Sequence, residues 1–211
     1  HVPFPGLPSS TWAQEKLIQF DEFIEALESD GYSIAVTQAM ASCCLLAGLR
    51  DKSSAICIGH ALYGLSPFSS EPAPAFRHLR PVIHSLSSTL IDIGYHDKGS
   101  DIAVGGLYGT SSAHVVGVLP LGAAMGMRPP ADNKDMFVLV RGKKCPVIAV
   151  SLEHVSINLD DVENVAIGDS ATIIGQDGDE SLSIQDLAHA WQVAPLQALM
   201  SISGKFSVKT I

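Results

Sequence analysis

The feature that most limits how this chain folds is a change of hydrophobic period across a proline-rich stretch, SPFSSEPAPAFRHLRP at residues 66–81. Before it, apolar residues recur at helical spacing or form short buried runs. After it, brief β-branched runs alternate with turn signals. Leu17, Phe20, Phe23, Ile24 and Leu27 predict a helix over residues 11–30. Thr11-x-x-Gln14 is suited to a capping box at its start, and Gly31 to its stop. The spacing then predicts a strand at residues 33–37, a helix at 39–49 and a strand at 55–58. Helix and strand alternating through short loops are the grammar of a parallel α/β sheet or barrel.

Past Pro81 the expected strands are residues 82–95, 113–121, 136–140, 146–150, 155–159 and 171–174. Two helices close the chain: residues 184–191, capped by Ser183-x-x-Asp186, and residues 195–203. The expected organisation is therefore an α/β segment over residues 1–80 and a mostly β domain with a helical tail over residues 81–211.

Charge and composition exclude several partners. Lys plus Arg number 13 against 22 Asp plus Glu, a net charge of −9 with no basic cluster, so nucleic acid and anionic membranes have no electrostatic footing. No apolar run approaches the roughly 18 residues that cross a bilayer, and the start HVPFPGLPSS does not read as a secretion signal. Cys43, Cys44, Cys57 and Cys145 show no C-x-x-C spacing, which suits free thiols in a reducing compartment. A cytoplasmic location is expected. The first residue is His1 rather than Met, consistent with a removed leader or with one piece of a longer translation product.

Each candidate for chemistry stands beside a plainer reading. Gly105, Gly106 and Gly109 around Tyr108 lack the helix N-terminus that a phosphate loop requires, so a glycine-rich β-turn is expected there and again at Gly122 and Gly126. Ser42 lies between an expected strand and helix, and Gly59-His60 follows the next strand. The carboxyl ends of barrel strands are where sites form, although an ordinary cap and turn explain the same residues. The eight histidines show no metal-helix spacing, so no metal is expected. Glu153-His154 is the one acid–imidazole pair with the character of a site. No G-x-S-x-G elbow and no Cys/His nucleophile pair is evident.

Taken together and in order, several stretches resemble the fold-type III, pyridoxal-phosphate-dependent alanine racemases. ICIGHALYGLSP, at residues 56–67, is similar to the family's V-R-x-G-I-A-x-Y-G-x-x-P segment, and Ser42 falls on its phosphate-binding serine. RPVIHSL resembles the hinge between barrel and β domain. GGLYGTSSAHVVGVLPLGAAMG is similar to the run ending V-x-P-I-G-Y-A-D-G. RGKKCPVIAVSLEHVSINL resembles x-G-x-x-x-P-V-x-G-x-x-x-M-D-x, and GDSATIIG with SIQDLAHA the closing segment. The resemblance implies the C-terminal part of a (β/α)8 barrel followed by the β domain. It also implies pyridoxal phosphate as cofactor, an N-terminal barrel segment or chain as partner, a homodimer or larger assembly, and a small amino-acid ligand.

The departures fall on the chemistry. The arginine that faces the pyridine nitrogen is replaced by Cys57, the catalytic tyrosine by Ala123, and the aspartate of that run by Met125. The closing tyrosine and arginine are replaced by Gly204 and Lys205. Ser42 and the backbone of Gly59 and His60 remain as implied cofactor contacts. Racemisation needs one base to remove the α-proton and a second to return it, and a positioned acid–base group contributes roughly 10²–10⁴-fold. Alanine at position 123 transfers no proton. Three readings follow: a racemase-fold protein in a divergent or non-catalytic role, a working pyridoxal-phosphate enzyme with its lysine upstream and Glu153, His154 or Cys57 in new roles, or an unrelated module.

Overall fold

The computed structural model describes residues 1–2, 11–68, 79–102, 108–109, 114–202, 204 and 206–209. Gly105, Gly106 and Lys205 lie outside the described residues. The chain divides into two compact units, His1–Val82 and Ile83–Ile211.

In the first unit, α1 (Thr11–Ser29) precedes β1 (Gln38–Ala41), α2 (Ser42–Leu46) and β2 (Ala55–Cys57). β1 and β2 are parallel, and Val2 bridges to Met40 in parallel, its amide donating to Ala39 O at 2.8 Å. The pattern is helix, strand, helix, strand, with Val2 bridged beside β1. Ala13 and Leu17 are buried and Phe20 packs partly against them, while Phe23, one position off that face, is 58% exposed. Thr11 is already helical rather than a cap, and Gly31 takes the left-handed φ of 90° that the helix end requires.

The expected strand at residues 33–37 is corrected: the strand forms at Gln38–Ala41, and α2 begins at Ser42 rather than Ala39. Ile34 and Val36 have the better β propensity. It is Ala39 and Met40, however, that lie between Val2 on one side and β2 on the other, and both are buried. Propensity yields where neighbours supply the hydrogen bonds.

The second unit is antiparallel, with one eight-stranded sheet and one separate two-stranded sheet among the described residues. β3 (Leu86–Thr89), β4 (Asp92–His96), β5 (Asp101–Ile102), β6 (Tyr108–Gly109), β7 (His114–Leu119), β8 (Phe137–Val140), β9 (Lys143–Val150), β10 (Val155–Asn158), β11 (Ser170–Asp177) and β12 (Glu180–Leu182) follow in order. The hydrogen-bonded order is β12-β11-β8-β9-β10-β7-β4, with β3 also paired to β11. The expected single strand at residues 82–95 is in fact two. Leu90 N donates to Asp169 O, and the next amide, Ile91 N, turns to Val118 O. That change of partner carries the chain from β11 to β7 and closes the sheet on itself.

Inside the closed sheet Leu90, Leu119, Leu139, Ile157, Leu159 and Ile173 are almost wholly buried. Each such side chain removed from water contributes about 1.5–3 kcal/mol. Gly117 faces this core because a Cβ there would meet Leu159 at 2.6 Å and Leu90 at 2.7 Å. α3 (Ile184–Ala190) and α4 (Pro195–Ile202) follow the last strand. The Ser183–Asp186 capping box forms: Ser183 Oγ accepts from Asp186 N at 3.2 Å, and Asp186 Oδ2 accepts from Ser183 N at 2.7 Å. No helix among the described residues is long and apolar enough to cross a membrane.

Candidate functional site

In the first unit, the carboxyl ends of β1 and β2 bring Ser42 and Gly59 together. Ser42 does not cap its own helix. Its Oγ instead accepts the Gly59 amide at 2.7 Å and the Ala61 amide at 3.3 Å, a contact across 17 and 19 residues of chain. Ser42 is only 4% exposed. His60 is half-buried, its Nε2 has no hydrogen-bond partner among the described residues, and burial pushes the imidazole below its ordinary range. Cys57, by contrast, is an exposed free thiol at the end of β2. Cys43, Cys44 and Cys145 are buried thiols; burial pushes the Cys43 thiol up to about 12 and the Cys145 thiol up to about 11.

In the second unit, Ala123 begins a short 3-10 turn (Ala123–Met125) that lies on the turn between β9 and β10. Ala123 N donates to Ser151 O at 2.9 Å and Ala124 N to Leu152 O at 2.8 Å. The turn beneath is itself fixed, since Ser151 N donates to His154 O at 2.8 Å and His154 N to Ser151 Oγ at 3.1 Å. Gly122 makes the close approach possible: a Cβ there would lie 2.6 Å from both His154 N and Ser151 O. Gly126 ends the turn at φ 87°, with Ser201 O 2.0 Å from where its Cβ would stand. Ala123, Glu153 and His154 are thus brought into one exposed tip. The side-chain hydrogen bonds found at this tip join Ser151 to the His154 backbone. Gly204, at φ 73°, is exposed near the chain end.

One polar cluster escaped sequence reasoning. Asp160, beyond β10, accepts His114 Nδ1 at 2.6 Å, Val115 N at 2.7 Å and Asn158 Nδ2 at 3.0 Å. Burial raises this carboxyl, but those donors outweigh it and hold Asp160 below the usual carboxylate range. The partners are 46 residues apart, and only the Asn-x-Asp spacing at a strand end hinted at a local turn. Among the described residues no three His, Cys, Asp or Glu side chains gather as a metal site.

Residues 83–210 match the family described as Alanine racemase, C-terminal domain. The chain belongs to the alanine racemase C-terminal domain family. It is 29% identical over 208 residues to an alanine racemase of Thermodesulfovibrio yellowstonii, covering 95% of this chain and 52% of that protein. It is 30% identical over 194 residues to one of Leptospira interrogans, covering 88% and 49%. The crystal structure of alanine racemase from E. faecalis superposes with a TM-score of 0.78 at 25% identity, over 93% of this chain and 51% of that one. The enzyme from Bacillus anthracis, solved with bound L-Ala-P, gives 0.76 at 26% identity, over 92% and 50%. This family member therefore spans about half the length of the curated relatives it matches.

The residues present do not fit the pyridoxal phosphate that the family implies. At the phosphate end, the Gly59 amide is already bonded to Ser42 Oγ. At the ring end, a thiol at Cys57 stands where the resemblance places a guanidinium, and it supplies neither the fixed charge nor the paired donors of arginine.

Proposed function

We propose that this chain is the C-terminal portion of an alanine-racemase-like protein that has given up ordinary alanine racemisation and serves a divergent or non-catalytic role. The observation that carries this reading is Ala123. The position the resemblance gives to a proton-transferring tyrosine holds a methyl group, on a turn fixed by two backbone hydrogen bonds to Ser151 and Leu152. Without a second base, the α-proton removed from one face of a substrate has no donor on the other.

The protein works with an N-terminal barrel segment. β2 is exposed at all three of its residues and, among the described residues, is paired along one side only, with β1; relatives of twice the length support a completing segment. An unpaired strand edge of this kind is covered in stable proteins. The tip that carries Ala123 and Glu153, with Leu152 69% exposed, supports self-association through this loop. Four cysteines without a C-x-x-C spacing suit a cytoplasmic setting.

The test is complementation. A bacterial strain unable to make D-alanine, given the whole natively encoded protein, is expected to need D-alanine still. Growth without it would overturn the proposal, and loss of that growth in Glu153→Gln or His154→Gln would assign the proton transfer to a rebuilt tip.

A further inference from the structure

The serine and glycine that the resemblance assigns to a phosphate are kept, yet their polar atoms face each other. A phosphate cradle requires N–H groups that point into open space, because the donors hold the anion. At the ends of β1 and β2 a hydroxyl oxygen of the chain itself occupies that position, accepting the Gly59 and Ala61 amides at 2.7 and 3.3 Å.

Two further observations agree. Ser42, directly after β1, is 4% exposed although the neighbouring β2 is exposed at all three residues, so little of its side chain is open to a ligand. His60, where the family segment has isoleucine, brings no compensating positive charge. Its Nε2 is buried and unpartnered among the described residues, and burial favours the neutral ring.

We infer that Ser42 is an internal clasp: its hydroxyl takes the place of a phosphate oxygen, ties the loop after β2 to the end of β1, and closes this cradle to pyridoxal phosphate. The inference deepens the proposed loss of racemase chemistry and rests on the same family frame, but it concerns a different end of the site.

Hydrogen–deuterium exchange of the Gly59 and Ala61 amides tests it, on the natively produced whole protein with and without added pyridoxal phosphate or inorganic phosphate. The clasp predicts amides protected in the absence of either, unchanged by both additions, and exchanging about tenfold faster in Ser42→Ala, the size expected for one lost intramolecular hydrogen bond. Amides that exchange freely until pyridoxal phosphate or phosphate is added would overturn it, and so would Ser42→Ala exchange equal to wild type. Should Ser42→Ala not fold, the wild-type comparison decides alone. A protein that gains protection on adding pyridoxal phosphate yet makes no D-alanine would defeat the clasp and leave the proposed function standing. One that makes D-alanine while these amides ignore the cofactor would do the reverse.

Discussion

Replacing Gly122 by alanine should loosen the tip that carries Ala123. The added Cβ would stand 2.6 Å from His154 N, 2.6 Å from Ser151 O and 2.7 Å from Glu153 C, all backbone atoms. None can rotate away, so the two turns must separate. Forcing atoms into a packed site costs about 1–3 kcal/mol. Separation also loses the Ala123–Ser151 and Ala124–Leu152 hydrogen bonds, each contributing about 0.5–1.5 kcal/mol. We expect a loss of about 3 kcal/mol, a fall in Tm of roughly 10 °C for a unit of this size. Gly168→Ala is the control: its Cβ meets nothing within 4 Å, and only its φ of 97° is unfavourable, for about 1–2 kcal/mol. Urea unfolding of both variants, read as a shift of midpoint at unchanged slope, separates the two. Gly122→Ala no less stable than Gly168→Ala would refute the close packing of the tip.

Four further outcomes follow from the same geometry. Ser183→Ala should lower stability by about 1 kcal/mol through loss of the α3 cap, and denaturant unfolding that leaves the midpoint unmoved would count against it. Asp160 is held below its unfolded pKa, so its contribution is present above the ordinary carboxylate range and is lost as pH falls through the folded value. Asp160→Asn should therefore flatten the acid limb of the stability curve below about pH 4, and an unchanged limb would be the adverse result. Of the four thiols, Cys57 alone should react rapidly with a thiol reagent in the folded protein, since burial raises Cys43 and Cys145; mass mapping of rapid label on Cys43 or Cys145 would contradict this. Sedimentation of the whole protein at micromolar concentration should find a dimer or larger, and Leu152→Glu should shift it toward monomer.

What the sequence made legible was what local pattern controls. The Ser183–Asp186 box, the β runs after Pro81 and the helix ended by Gly31 all depend on neighbours within a few residues. What it hid was set by distant partners. The strand at Gln38–Ala41 is placed by Val2 and β2, against the better propensity of Ile34 and Val36. The break between β3 and β4 has no glycine or proline to announce it, because it arises from a change of carbonyl partner from Asp169 to Val118. At Ser42 the pattern offered a local cap or a phosphate contact, and the hydroxyl instead meets amides 17 and 19 residues away. The substitutions at Cys57 and Ala123 were readable only because the order of motifs supplied a family frame; residue types alone named no reaction.

The central claim is that this member of the family does not move the α-proton of alanine. Proton NMR of L-alanine in heavy water, incubated with the natively produced whole protein and added pyridoxal phosphate, measures that step directly, whatever becomes of the product. The α-proton signal is expected to persist at the rate of the protein-free control. Its loss above that control would contradict the account.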